Sequence, residues 1–176
     1  MQTTMSLAIC VLAIGIAAFA SIGLVKPTAS DAPTINFGTK PDYGAPDVQK
    51  IINSKENMAP RYIFPMLWPV DLITPVGLGV GAALLCMVLA PGAQPGLDTW
   101  ALLLALLPLA YMVSDITENT ALTFMLSGPA EAVTEERIKV VHTITRIKIG
   151  LFVLAGVQTL GLGLAAAFLR IFRASH

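Results

Sequence analysis

The sequence predicts an all-α integral membrane protein, a four-helix bundle with a long Pro-rich loop between helices 1 and 2. Three observations predict it. Hydrophobic residues make up 55% of the chain and charged residues only 12%, where a soluble domain averages about 25% charged. Mean hydropathy is +0.74. Four apolar runs, residues 5–25, 70–89, 100–126 and 144–170, are each long enough to cross the roughly 30 Å hydrocarbon layer as a helix. They define a single membrane domain over 1–176. The formal net charge of zero gives no basic footprint, so nucleic acid is not an expected partner.

The first run, Met5–Val25, holds no charge over 21 residues and reads as an uncleaved anchor. A signal peptide is the competing reading, because Ala18-Phe19-Ala20 has the look of a cleavage site. Against it, the leader MQTTM carries no Lys or Arg, and the apolar run continues past that site.

Residues 26–67 form the long polar loop. Pro27, Pro33, Pro41, Pro46, Pro60 and Pro65 argue against one long helix and for an extended, surface-hugging path. Within it, Pro46–Met58 is expected to form a short helix with Val48, Ile51 and Ile52 on one side. Tyr62, Phe64 and Trp68 then read as an interfacial aromatic belt.

The second span, Val70–Leu89, opens at Asp71. Its Gly77 and Gly81 are spaced for close helix contact, and Pro91–Asp98 reads as a short turn. The third span runs from Trp100 to Leu126 and carries Asp115, Glu118 and Asn119. At about 3.6 residues per turn these three share a face, bracketed by Tyr111 and Leu122. Carboxylates inside a membrane are costly against lipid, so this face is expected to turn toward protein, water or a ligand. Ser127-Gly128-Pro129 closes the helix. Thr134 then reads as an N-cap with Glu135 and Glu136 in the first turn. Helix character is expected from there to Arg170, with Ile149–Leu169 as the membrane stretch. Gly156, Gly161 and Gly163 suit tight packing.

Nine of the eleven basic residues fall in or beside the first and third loops. The positive-inside rule therefore places loops 26–67 and 127–143 in the cytoplasm and both termini outside, consistent with a bacterial inner membrane. In that topology Asp71, Asp115, Glu118, Asn119, His142, Arg146 and Lys148 meet at one depth. They are expected to form a buried polar cluster roofed by the first loop, with the opposite leaflet apolar. Cys10 and Cys86 both fall toward that opposite side, where free thiols are favoured over a disulfide.

Several roles fit such a cluster. It can tie helices together, as polar residues do in bundles. Two neighbouring carboxylates can also split acid and base duties in an intramembrane enzyme or lipid-binding site, with Arg146 and Lys148 holding a phosphate. No serine or cysteine nucleophile with a base partner accompanies them. A metal site would draw on Asp115, Glu118, His142 and Asp71, but no Glu-x-x-His or His-x-x-x-His pair is present. No cofactor is implied. The first span lacks the polar groups that an ion pathway would need.

Asp71 opening the second span, D-x-x-E-N at Asp115–Asn119 and T-x-x-K at Thr145–Lys148 together resemble small uncharacterised four-span bacterial membrane proteins. The resemblance covers Phe64 to Gly163 and implies that these residues form one site. It carries no activity. The sequence thus predicts a structural or accessory subunit of a larger membrane complex. Its alternative is an enzyme or ligand binder using Asp115 and Glu118.

Overall fold

The structure, a computed structural model, describes residues 43–54, 58–93 and 100–174. The predicted first span, Cys10 and the first part of the long loop lie outside the described residues. The elements in order are α1 (Ala45–Ile52), the single turn α2 (Met58–Arg61), an irregular segment (Tyr62–Val70), α3 (Asp71–Ala93), α4 (Ala101–Ser127), a 3-10 turn (Ala130–Ala132) and α5 (Glu135–Ala174). The described residues hold no strand. Among them, three helical stretches are long and apolar enough to cross a membrane: Met58–Ala90, Ala101–Ser127 and Glu135–Leu169.

α3, α4 and α5 each pack against the other two. α3 and α4 approach closely at Gly79. A Cβ built there would lie 2.6 Å from Met112 Cβ and 3.1 Å from the Pro108 carbonyl, so only glycine fits without movement. Hydroxyls inside the spans are quieted locally. Thr117, Thr120, Thr123 and Thr159 each donate to the carbonyl four residues earlier, at 2.7–2.8 Å, which removes the cost of an open O–H in an apolar medium.

The break before α3 has a direct steric cause. Phe64 (φ −129°, ψ 126°) and Trp68 (φ −133°, ψ 120°) leave the helical region, and each precedes a proline, whose ring pushes its neighbour toward extended backbone. This geometry corrects the expected aromatic belt. Phe64 is exposed, but Tyr62 is buried and the Trp68 indole N–H donates to Thr123 Oγ1 of α4 at 2.9 Å. Two of the three rings therefore serve packing rather than an interface.

α1 lies across the ends of α4 and α5. Pro46 in its first turn and the Gly44 N–H held by Asp47 Oδ2 at 2.9 Å start it. Its apolar side, Val48 and Ile51, is buried in a cluster with Leu122, Met125 and Leu126 of α4 and Ile138 and Val141 of α5. Two polar contacts fix its position. The Ala45 N–H donates to Glu135 Oε1 at 2.9 Å, and Gln49 Nε2 donates to the Val133 carbonyl at 3.0 Å.

α4 ends at Ser127 with Gly128 extended behind it. α5 begins where Thr134 Oγ1 accepts the Arg137 N–H at 3.4 Å. Its 40 residues give a length of about 60 Å, about twice the hydrocarbon thickness. The glycines of α5 do not all sit in tight packing: a Cβ at Gly150, Gly156 or Gly161 meets nothing within 4 Å, while Gly163 faces Leu89 at 3.8 Å.

Candidate functional site

The buried face of α4 comprises Tyr111, Asp115, Glu118, Asn119 and Leu122, the 3.6-residue stripe visible in the sequence. Opposite it, α5 contributes Thr145 and Lys148, one turn apart and both buried. Lys148 Nζ sits 3.1 Å from Asp115 Oδ1 and forms a second ion pair with Glu118. Thr145 Oγ1 donates to Glu118 Oε1 and lies 3.0 Å from the Val141 carbonyl. Glu118, 0% exposed, is thus held on both oxygens. Asn119 Nδ2 donates to Asp115 Oδ2 at 3.4 Å.

The same amide reaches α3. Asn119 Nδ2 lies 3.5 Å from the Asp71 carbonyl. In a regular helix that carbonyl would accept the N–H four residues on. That residue is Pro75, which has no N–H. Asn119 therefore closes a carbonyl that the proline leaves open. The Asp71 side chain feels the charges of Asp115, Lys148 and Glu118, so α3, α4 and α5 meet in one network.

A second open carbonyl is closed in the same way further along the bundle. Pro108 inside α4 leaves the Leu104 carbonyl without its helical donor. Gln158 Nε2 of α5 donates to it at 2.5 Å and also approaches Cys86 Sγ at 3.4 Å, with Thr159 Oγ1 3.6 Å from the same sulfur. The sequence reading expected an apolar far end. It missed Gln158, whose signal was a lone amide inside the last span with a proline inside the one before it. Cys86 is buried and has no disulfide partner among the described residues.

Two of the predicted cluster members stand apart. Arg146 is exposed, because two residues along a helix is a turn of about 200°, away from Lys148. His142 is half-buried and packs edge-on against Tyr43, with ring centroids 4.6 Å apart at 85°. The Tyr43–His142 pair lies over the loop end of the cluster beside α1. Burial raises the Tyr43 hydroxyl well above the ordinary tyrosine value, and the Glu118 charge raises it further.

Among the described residues no group of three or more His, Cys, Asp and Glu side chains is set to hold a metal ion. Cavities lie elsewhere: one of about 180 Å³ between Leu78, Pro108, Tyr111 and Phe152, one of about 360 Å³ beside Phe124, Arg137 and Val140, and one of about 500 Å³ under Ile52, Pro60 and Leu126. None of these three is bordered by Asp71, Asp115, Glu118 or Lys148. Comparison of the chain with family models, with curated proteins and with solved structures finds no match.

Proposed function

We propose that this chain is a small polytopic membrane protein acting as a structural or accessory subunit of a larger membrane complex, with the buried ionic cluster as the tie that fixes its helices. The observation that carries this reading is the mutual commitment of the cluster. Lys148 is spent on Asp115 and Glu118, Thr145 on Glu118, and Asn119 on Asp115 and the Asp71 carbonyl. A group held by its neighbours in this way is not available to a substrate, and a satisfied polar network specifies one helix arrangement.

In this reading Met5–Val25 is a fourth span, and the Pro-rich loop continues the cover that α1 begins. Loops 26–67 and 127–143 face the cytoplasm of a bacterial cell, both termini face outward, and lipid surrounds the bundle. Resemblance to small four-span bacterial membrane proteins with D-x-x-E-N in the third helix is part of the same proposal.

A second reading rests on one specific imbalance. Three carboxylates, Asp71, Asp115 and Glu118, share one buried ammonium. An intramembrane enzyme or a lipid or small-ligand binder using Asp115 and Glu118 would draw on that excess.

Purification of the tagged protein in a gentle detergent, followed by mass spectrometry of what accompanies it, separates the two. Stoichiometric protein partners are expected. A chain that purifies without protein partners, carrying a bound lipid or other small molecule, contradicts the structural reading.

A further inference from the structure

Of the three cavities, the one between the last two turns of α4 and the first two of α5 has a charged wall. It holds about 360 Å³ and is lined by Ala121, Phe124 and Met125 of α4 and by Arg137, Val140 and Val141 of α5. Every lining side chain but Arg137 is apolar. Phe124 and Val140 are 76% and 59% exposed, so among the described residues this groove opens sideways, toward the surroundings of the bundle. The linings of the other two cavities carry no charge.

The turn of α5 decides which cation stands here. At about 100° per residue, Arg137 falls within about 20° of Lys148, on the side that faces α4. Lys139 and Arg146, also exposed, are turned from Arg137 by about 200° and 180° and point away from α4. Lys148 is committed to Asp115 and Glu118, while Arg137 forms no ion pair among the described residues. The adjacent acids leave it so: Glu135 Oε1 accepts the Ala45 N–H, and Glu136 lies about 100° around the helix.

Level decides what the cation meets. Arg137 stands three residues beyond Val140 toward the loop, a rise of about 5 Å. The headgroup layer adds about 5–7 Å to each side of the hydrocarbon. Phe124 lies one turn from the end of α4. With the apolar walls at the edge of the lipid tails, Arg137 comes level with lipid phosphates. Its planar fork of donors suits a phosphate, and Phe124 and Val140 suit the first carbons of a tail. A zwitterionic lipid carries its own cation beside the phosphate, whereas an anionic lipid leaves the phosphate charge to the arginine.

We infer that this groove seats an anionic phospholipid, with its phosphate on Arg137 and the upper part of one tail against Phe124 and Val140; the inference deepens the membrane-subunit reading above by naming a lipid class and rests on it.

The test places the full chain in nanodiscs of phosphatidylcholine with a rising share of phosphatidylglycerol of the same tails. Native mass spectrometry then counts the lipids that the released protein keeps. The parent is expected to keep phosphatidylglycerol in preference to phosphatidylcholine. Arg137→Gln should weaken that retention about fivefold, the worth of one basic residue at an anionic surface. Lys139→Gln, outside the groove, should leave it unchanged. Val140→Trp fills the groove from an exposed position, so it should lower retention while helical content and unfolding midpoint stay the same. Equal losses in Arg137→Gln and Lys139→Gln would mark diffuse attraction to the surface and overturn the inference. So would retention that Val140→Trp leaves untouched, or displacement of the lipid by inorganic phosphate at constant ionic strength. A disulfide between Val140→Cys and a cysteine placed in residues 1–42, in a chain with Cys10 and Cys86 replaced by alanine, would overturn it by showing the groove filled by the chain itself. A chain that does not enter nanodiscs contradicts the membrane reading as well, whereas one that enters and shows no lipid preference overturns this inference alone.

Discussion

Replacing Gln158 with leucine removes its hydrogen bonds to the Leu104 carbonyl and to Cys86 Sγ, and the structure says what the first is worth and why. Gln158 Nε2 lies 2.5 Å from the Leu104 carbonyl. That carbonyl has no helical donor because Pro108 stands four residues on. When α4 separates from α5 in the bilayer, the carbonyl keeps its helix but loses its only amide, and lipid offers no replacement. The loss should therefore fall at the upper end of membrane hydrogen bonds, about 1–2 kcal/mol. The assay is equilibrium unfolding in bicelles, as a double-mutant cycle with Pro108→Ala. Alanine returns an N–H to α4, so in that background Gln158→Leu should cost at least about 1 kcal/mol less. An equal cost in both backgrounds, within the roughly 0.3–0.5 kcal/mol expected of independent sites, would refute the link between the proline and the amide.

Other outcomes follow from the same packing. Gly79→Ala should destabilise by about 1–3 kcal/mol in the same unfolding assay; Met112→Ala should not rescue it, because the clash is with Met112 Cβ itself. Gly156→Ala, with open space around it, should be neutral or stabilising by up to about 1 kcal/mol. Tyr43→Phe should change the alkaline limb of stability. The folded hydroxyl holds its proton more tightly than the ordinary value of 10.0, so its contribution is complete below pH 10 and is lost as the unfolded chain ionises above it. A pH titration of the unfolding midpoint should therefore fall less steeply above pH 10 in Tyr43→Phe than in the parent. Trp68→Phe should free the Thr123 hydroxyl from its indole partner and cost about 0.5–1.5 kcal/mol.

The sequence made the membrane class and the acidic face of α4 legible for physical reasons. A low charge fraction and long apolar runs leave few other folds, and the 3.6-residue period aligns Asp115, Glu118 and Asn119 without tertiary knowledge. The meeting of α4 with Lys148 followed from topology, since α4 ends where α5 begins. The choice between Arg146 and Lys148 did not. Both lie at the right depth, and only the azimuth of α5, fixed by Thr145 packing on Glu118, sends Arg146 outward. The two amide–carbonyl closures were half-visible. Pro75 and Pro108 announce open carbonyls at Asp71 and Leu104, but which neighbour supplies the donor depends on helix order around the bundle. The role of Trp68 was hidden because its indole needs a partner 55 residues away. The turn to α3, by contrast, was written in two X-Pro pairs. The place of Met5–Val25 lies outside the described residues.

The central claim, that Lys148 and its carboxylates are an internal tie, is tested most directly by comparing two variants in bicelle unfolding. Lys148→Met leaves Asp115 and Glu118 buried without their cation, and breaking such a pair costs about 3–5 kcal/mol. Adding Asp115→Asn and Glu118→Gln to Lys148→Met removes the unpaired charges. The account predicts a large loss in the single variant and recovery of most of it in the triple variant. A Lys148→Met chain as stable as its parent would contradict it.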